Sequence, residues 1–332
     1  MNSTSQIQQD IFNRVKEILP DNISLVHEVA NALQVSTDSA YRRIRGEKPL
    51  TLEELASLNS RFNISVDEIL NPYSANVTFN STHLHPEKFV VSDWLDKIYN
   101  DLRKIHALKG CELIYAAKDP PIYQYFHLPE IAAFKVFFWE KTLFRFPNHE
   151  THKFSLKDFS ESTYKRGFDS LTIASKTPIT EIWNKDTFRM LLNQIEYYWI
   201  SGLFDSKDDL LNLLDKAEKW IKHIQRQAEY GFLFKSGEEP EGLPDYFKMY
   251  CNEVVLNDNT ILVKHDKGLF SYITFNVLSL LQTNNQPFCN EIKNHFNGLI
   301  RISNLISQSG EKERNRFFNE QLNAILKFRQ SI

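Results

Sequence analysis

The stretch Ser24-Leu25-Val26-His27-Glu28-Val29-Ala30-Asn31-Ala32-Leu33-Gln34-Val35-Ser36-Thr37-Asp38-Ser39-Ala40-Tyr41-Arg42-Arg43-Ile44-Arg45-Gly46-Glu47-Lys48 decides how the first part of this chain is read. Leu25, Val29, Ala30 and Leu33 fall on one face of a short helix. Gln34-Val35-Ser36 interrupts it, and Ala40 and Ile44, four residues apart, mark the inward face of a second helix. Ala30 is small where that second helix must cross closely. Ser24 and Ser36 are suited to cap the two helices, and Gly46 to close the second in a left-handed conformation. Glycine is commonest at a turn of this kind, so Gln34 must accept backbone strain or open the turn. Two short helices about a tight turn, the second one basic, describe a helix-turn-helix, which can lay one helix in a DNA major groove.

Working outward, Ile7, Ile11, Phe12, Val15, Ile18 and Leu19 mark one face of a preceding helix, ended by Pro20. Thr51 is placed to cap a helix over Leu52–Phe62, with Leu52, Leu55, Ala56 and Leu58 apolar. Ser65 is placed to cap a last one, with Val66, Ile69 and Leu70 facing in. Residues 1–72 hold seven Lys/Arg against ten Asp/Glu, a balance of -3. The positive charge is concentrated: Arg42, Arg43, Arg45 and Lys48 lie close together and are opposed by Glu47. Nucleic-acid binding needs such a local patch rather than a basic total. The acidic remainder argues against strong non-specific binding by one copy and favours a homodimer, which doubles the phosphate contacts. Thr37, Asp38, Tyr41 and Arg42 face outward near the start of the basic helix and are assigned to base edges. Arg42 can fork onto guanine and Asp38 can accept from a cytosine amine, although Asp38 also suits the positive end of the helix dipole. Arg43, Arg45 and Lys48 are assigned to phosphates, which position a protein without reading sequence.

This order and spacing resemble the Cro/lambda-repressor-like, or Xre, helix-turn-helix family. The pieces that carry the resemblance are Val29-Ala30, Leu33-Gln34-Val35-Ser36, Arg45-Gly46 and the run from Val66 to Leu70, within residues 6–71. The resemblance implies a five-helix domain whose third helix enters the major groove of double-stranded DNA, and dimers on palindromic sites. Gln34 at the turn, and Ile44 where an acidic residue is frequent, depart from the family pattern. The competing reading is a helical bundle reused for protein contacts.

Beyond residue 72 the composition changes. Of 43 aromatic residues, only Phe12, Tyr41 and Phe62 precede it, so a lightly packed head is followed by a body with a bulky core. The sequence predicts a domain over 1–71, a linker over 72–86 with its hinge at Asn71-Pro72-Tyr73-Ser74-Ala75-Asn76, and an oligomerisation or effector domain over 87–332. The expected fold class is mainly α, with a mostly helical body carrying one or two short β-hairpins. Val91, Leu95, Ile98, Leu102 and Ile105 repeat at spacings of four and three, a heptad seam suited to a dimer interface; the alternative is that the stripe packs on its own core. Cys111–Ala117 and Ile122–His127 read as strands of one hairpin, followed by an aromatic helix near Pro129–Phe144. Glu253–Leu256 and Thr260–Val263 read as a second hairpin across Asn257-Asp258-Asn259. Asp186–Phe204 and Lys207–Tyr230 read as an antiparallel helical hairpin. Gly268–Leu281 fits a helix or a buried strand, and Glu291–Ile306 and Glu311–Phe328 read as closing helices.

The body offers little chemistry to a motif search. No glycine-rich phosphate loop, Gly-x-Ser-x-Gly or His-Glu-x-x-His occurs, and neither an enzyme nor a cofactor is expected. The close histidine pairs, His83/His85 and His149/His152, lack spaced thiol or carboxylate companions and read as solvated loop residues rather than metal ligands. Cys111, Cys251 and Cys289 read as buried thiols. Tyr115, Tyr123, Tyr125, Phe126, Phe137 and Trp139 form a dense aromatic cluster, better read as core than as the lining of a ligand pocket. No apolar run suits a membrane helix and no signal peptide is read at the start, so a cytoplasmic protein is expected. The reading reached is a dimeric, sequence-specific DNA-binding regulator with a sensing or oligomerising body. The alternatives are a peptide-responsive regulator with a helical-repeat body and a protein-interaction adaptor. Stacked helix pairs with a concave groove would favour a peptide effector; a sheet or closed pocket would favour a small molecule.

Overall fold

A computed structural model of the chain describes residues 4–20, 23–62, 64, 66–70, 76–81, 89–254, 256 and 258–332. The expected hinge at 71–75, most of the 72–86 linker with His83 and His85, the Ser65 cap and the Asn257 turn residue lie outside the described residues. The chain divides into two compact units, one made of 1–81 with 282–288, the other of 82–281 with 289–332.

The first unit contains α1 (Thr4–Ile18), α2 (Leu25–Leu33), α3 (Thr37–Ile44), α4 (Leu52–Phe62), α5 (Val66–Leu70) and the two-residue strand β1 (Asn80–Ser81). Its core gathers Ile11, Phe12 and Val15 from α1, Val29 from α2, Ala40 from α3 and Leu58 from α4. Leu52, expected on an apolar face, is exposed. A buried glutamine organises the segment after α3. Gln8 Nε2 donates to Arg43 O at 2.7 Å and Lys48 O at 2.9 Å, and Gln8 Oε1 accepts from Leu50 N at 2.9 Å. The returning segment 282–288 is held here too. Arg14 donates to Asn284 O at 3.1 Å, and Phe288 meets Phe79 edge-on at 5.5 Å.

The second unit is built around a mixed sheet. Its elements are α6 (Val91–His106), β2 (Glu112–Ala117), α7 (Pro129–Phe138), α8 (Glu161–Ala174), β3 (Ile179–Trp183), α9 (Lys185–Ile200), α10 (Lys207–Tyr230), β4 (Phe247–Cys251), β5 (Thr260–His265), β6 (Gly268–Phe275), β7 (Ser279–Thr283), α11 (Gln286–Arg301), β8 (Asn304–Leu305) and α12 (Glu311–Gln330). These strands lie in the order β7-β6-β5-β2-β3-β4-β8. β2, β3 and β4 run parallel, with Leu113 beside Ile179 and Ile179 beside Phe247. Parallel neighbours need crossovers, and α7–α8 and α9–α10 supply them. Alternation along the strands sends side chains to two cores. Leu113, Tyr115, Ala117, Ile179 and Trp183 join the helical layer of α7, α9, α10 and α12, whereas Ile114, Ala116, Ile182 and Leu262 pack with Cys289, Phe296 and Leu299 of α11.

This architecture corrects the expected fold class. Twelve α-helices accompany eight strands among the described residues, about 58% helix and 13% strand, so the chain is not a mainly α protein with one or two hairpins. The physical reason is that the central strands are buried on both faces. Such strands lose the polar–apolar alternation that identifies a half-exposed strand: all of β3 is buried, including Thr180 and Glu181. The first expected hairpin is absent, because Ile122–His127 forms a buried 3-10 helix and β2 pairs with β3 and β5 instead. The second is displaced: β5 pairs with β6, Thr260 beside Ile273, across Asp266-Lys267. α12 packs on both α9 and α10, so the two-helix hairpin becomes a three-helix layer.

Of the two readings of the α6 heptad stripe, the burial of its residues agrees with packing on the unit's own core. Val91, Leu95, Leu102 and Ile105 are buried, and Ile98 partly so, in the second unit's own cores. α6 packs against α8, so the stripe is not a free dimer seam. Next to it, Gly167 of α8 lies against the Phe126 ring, and any β-carbon there would overlap that ring. No helix among the described residues is long and apolar enough to cross a membrane.

Candidate nucleic-acid interface

The turn between α2 and α3 is closed by backbone geometry. Gln34 is left-handed, with φ 53 and ψ 44, and Val35 N donates to Ala30 O at 3.0 Å. Gln34 therefore accepts the strain, at a cost of about 1 kcal/mol for a side chain other than glycine. Ser36 caps α3 by accepting from Ser39 N at 3.2 Å, whereas Ser24 occupies the cap of α2 without a side-chain capping bond. After α3, Gly46 is left-handed at φ 78 and Glu47 N returns to Arg42 O at 2.9 Å.

Thr37, Asp38, Tyr41, Arg42 and Arg45 are all exposed. Their positions, i, i+1, i+4, i+5 and i+8, place them on one face of the helix and its first C-terminal residue. The Arg45 guanidinium lies 5.5 Å from the Tyr41 ring centre. Arg42 and Arg45 approach Glu47 at 3.8 and 3.5 Å, with more than half of each arginine side chain open to solvent. Exposed pairs of this kind contribute little. Lys48 is exposed just beyond.

Arg43 departs from its expected role. It is 3% exposed and faces inward. Its Nε donates to Glu54 Oε2 at 2.9 Å, a second guanidinium nitrogen reaches Oε1 at 2.5 Å, and the third donates to Ser39 O and Oγ at 3.0 and 2.6 Å. These contacts occupy the guanidinium fork, so Arg43 is withdrawn from the phosphate set. The Arg43 hydrogen bonds hold Glu54 below the ordinary carboxylate range, against the opposing effect of burial. Glu54 also closes a reciprocal cap with Thr51: Thr51 N donates to Glu54 Oε2 and Glu54 N to Thr51 Oγ1, both at 3.2 Å. The sequence signal for this cap was the Thr51-x-x-Glu54 spacing. Nothing in the sequence singled out Gln8.

In the body, the aromatic cluster divides. Tyr115, Tyr123, Tyr125 and Trp139 line one cavity and Phe126 and Phe137 another, while all six are also buried in the main core. His149 is not a solvated loop residue: its Nε2 lies 3.2 Å from Glu140 Oε2, and each side chain is less than one quarter exposed. Among the described residues, no group of three or more His, Cys, Asp or Glu is arranged to hold a metal. Cys251 and Cys289 are buried and Cys111 half-buried. Comparison of the chain with protein-family models, curated proteins and solved structures found no match.

Proposed function

We propose that the chain is a sequence-specific DNA-binding regulator that reads a duplex with α3 and carries its signal-responsive part in the second unit. The observation that carries this reading is the division of labour along α3. Ala40 and Arg43 hold the helix in its bundle, and Thr37, Asp38, Tyr41, Arg42 and Arg45 present one continuous polar face. In this role Arg42 and Asp38 contact base edges, and Arg45 and Lys48 contact phosphates. The acidic balance of the head keeps the argument for a homodimer, which would use a surface other than the α6 stripe. A body centred on a sheet with a partly open aromatic cavity favours a small-molecule effector over a peptide bound to stacked helical repeats.

The test is selection of binding sites from randomised duplexes, followed by titration of the chosen site at several salt concentrations. Enrichment of a symmetric site is expected. Arg45→Ala should lower the salt slope by about one while preserving the preferred sequence, whereas Arg42→Ala should relax that sequence. No enrichment at low salt, or unchanged binding by an Arg42→Ala/Arg45→Ala protein, refutes the reading.

A further inference from the structure

The second unit carries a partly open cavity of about 110 Å³ bordered by α6, β2, β5 and β6. Its wall is aromatic, with Trp94, Trp139, Tyr115, Tyr123, Tyr125 and Tyr272 in the lining. Several polar hydrogens of these rings are already engaged by the protein. Trp94 Nε1 donates to Leu278 O at 3.2 Å, Tyr123 Oη to Glu181 Oε1 at 2.6 Å, and Tyr125 Oη to Asp119 Oδ1 at 2.6 Å. Those rings are left to offer π-surface and acceptor oxygen. The charged residues of the lining are Asp101 and Asp119, with no lysine, arginine or histidine among them. Aromatic faces beside carboxylates attract cations and disfavour anions.

The protein already seats one ammonium on this wall. Lys135 Nζ lies 4.4 Å from the Tyr125 ring centre and 5.6 Å from that of Trp139. It also lies 3.5 Å from Asp119 Oδ2 and 2.9 Å from Gln194 Oε1. Lys135 therefore offsets Asp119. Asp101 is different. Its ion-pair partner, Lys104, is 3.6 Å away and largely solvent-exposed, so that attraction is screened.

We propose that this cavity binds a small organic cation, a protonated amine carrying one aromatic or branched apolar group, with its ammonium at Asp101 and Tyr272. The apolar group lies among Trp94, Tyr115 and Trp139. A cavity of about 150 Å³ takes up benzene, so a space of about 110 Å³ admits one ring at most. Burial raises the Asp101 carboxyl above its ordinary range despite Lys104 and Lys97, which fits a carboxylate without a cation inside the cavity. Val277, at φ 74, adds a half-exposed β-branched residue to the same lining.

The experiment uses the full chain without DNA, so its result is independent of the proposed function. Phenethylammonium, neutral 2-phenylethanol and anionic 3-phenylpropionate are titrated by calorimetry, with tryptophan fluorescence as a second readout. The expected order is cation, then neutral molecule, then anion. Asp101→Asn should weaken the cation roughly tenfold and leave the alcohol within about twofold, as loss of one partly buried charge predicts. Ile261→Phe, which adds volume to the lining, should abolish binding of all probes in a protein that keeps its thermal transition. Tighter binding of the anion, equal binding of the cation and alcohol, an unchanged cation affinity in Asp101→Asn, or no binding of any probe at millimolar concentration overturns the proposal.

Discussion

Replacing Arg43 by Met separates the two roles that an arginine can play on a helix proposed to read DNA. Met keeps much of the apolar stem but removes four hydrogen bonds, two to Glu54 and two to Ser39. Removing one member of a buried ion pair costs about 3–5 kcal/mol. Glu54 is not fully buried, with 17% of its side chain exposed, and it keeps the Thr51 amide, so solvent can recover part of that loss. We therefore expect destabilisation of the first unit by about 2–3 kcal/mol, equivalent to roughly 10–20 °C for a domain of this size. The placement of chromophores makes the effect separable. All five tryptophans lie at or beyond Trp94, so tryptophan fluorescence follows the second unit while far-ultraviolet circular dichroism follows both. Arg43→Met should bring forward part of the dichroism transition without changing the native fluorescence. Below that transition it should retain the wild-type salt slope for DNA. If the melt is unchanged and the slope falls by about one, Arg43 is a phosphate contact and the clamp argued from its burial is wrong.

Gln34→Gly should raise the first unit's dichroism transition by about 0.5–1 kcal/mol by relieving left-handed strain, and Gln34→Val should lower it; no difference between the two would show that the turn is not held left-handed in solution. Gly167→Ala should destabilise the second unit by about 1–3 kcal/mol in urea followed by tryptophan fluorescence, because its methyl group meets the Phe126 ring; full wild-type stability would contradict that close approach. His223 is pushed down to about 4 by burial, so its contribution is complete above its ordinary pKa of 6.5 and is lost as pH falls toward 4, by about 3 kcal/mol. Glu181 runs the other way: pushed up to about 7 by burial, it contributes fully below pH 4.5 and loses that contribution as pH rises through 7. The two windows oppose each other in the wild type, so Glu181→Gln should uncover a urea midpoint that climbs between pH 4 and 6.5; a flat profile refutes the assignment.

The head was legible because its signals are local. Ser36, Gly46 and Thr51 act on neighbouring backbone groups, and Val29, Ala40 and Leu58 follow helical spacing. The inward turn of Arg43 was not legible, since arginine in a basic run carries no mark of its partner eleven residues away. In the body, Ile179–Trp183 contains a glutamate and a threonine that look like surface residues. The burial of Glu181 is supported by Tyr123, Gln124 and Trp183, which all donate to its carboxylate. That arrangement exists only after β2 and β3 have paired. The cavity was half visible: the aromatic cluster marked Tyr115, Tyr123, Tyr125 and Trp139, but Trp94, Tyr272 and Asp101 come from distant segments and are brought in by the fold.

The membership of 282–288 in the first unit bears on the order in which the protein can be made. On the ribosome, residues 1–81 emerge first, but the segment carrying Asn284 and Phe288 follows some two hundred residues later. The first unit can therefore be completed only after most of the second unit has been synthesised. A chain released early would expose Arg14 and Phe79 without their late partners, so cells would meet a finished head only in molecules whose synthesis has passed residue 288.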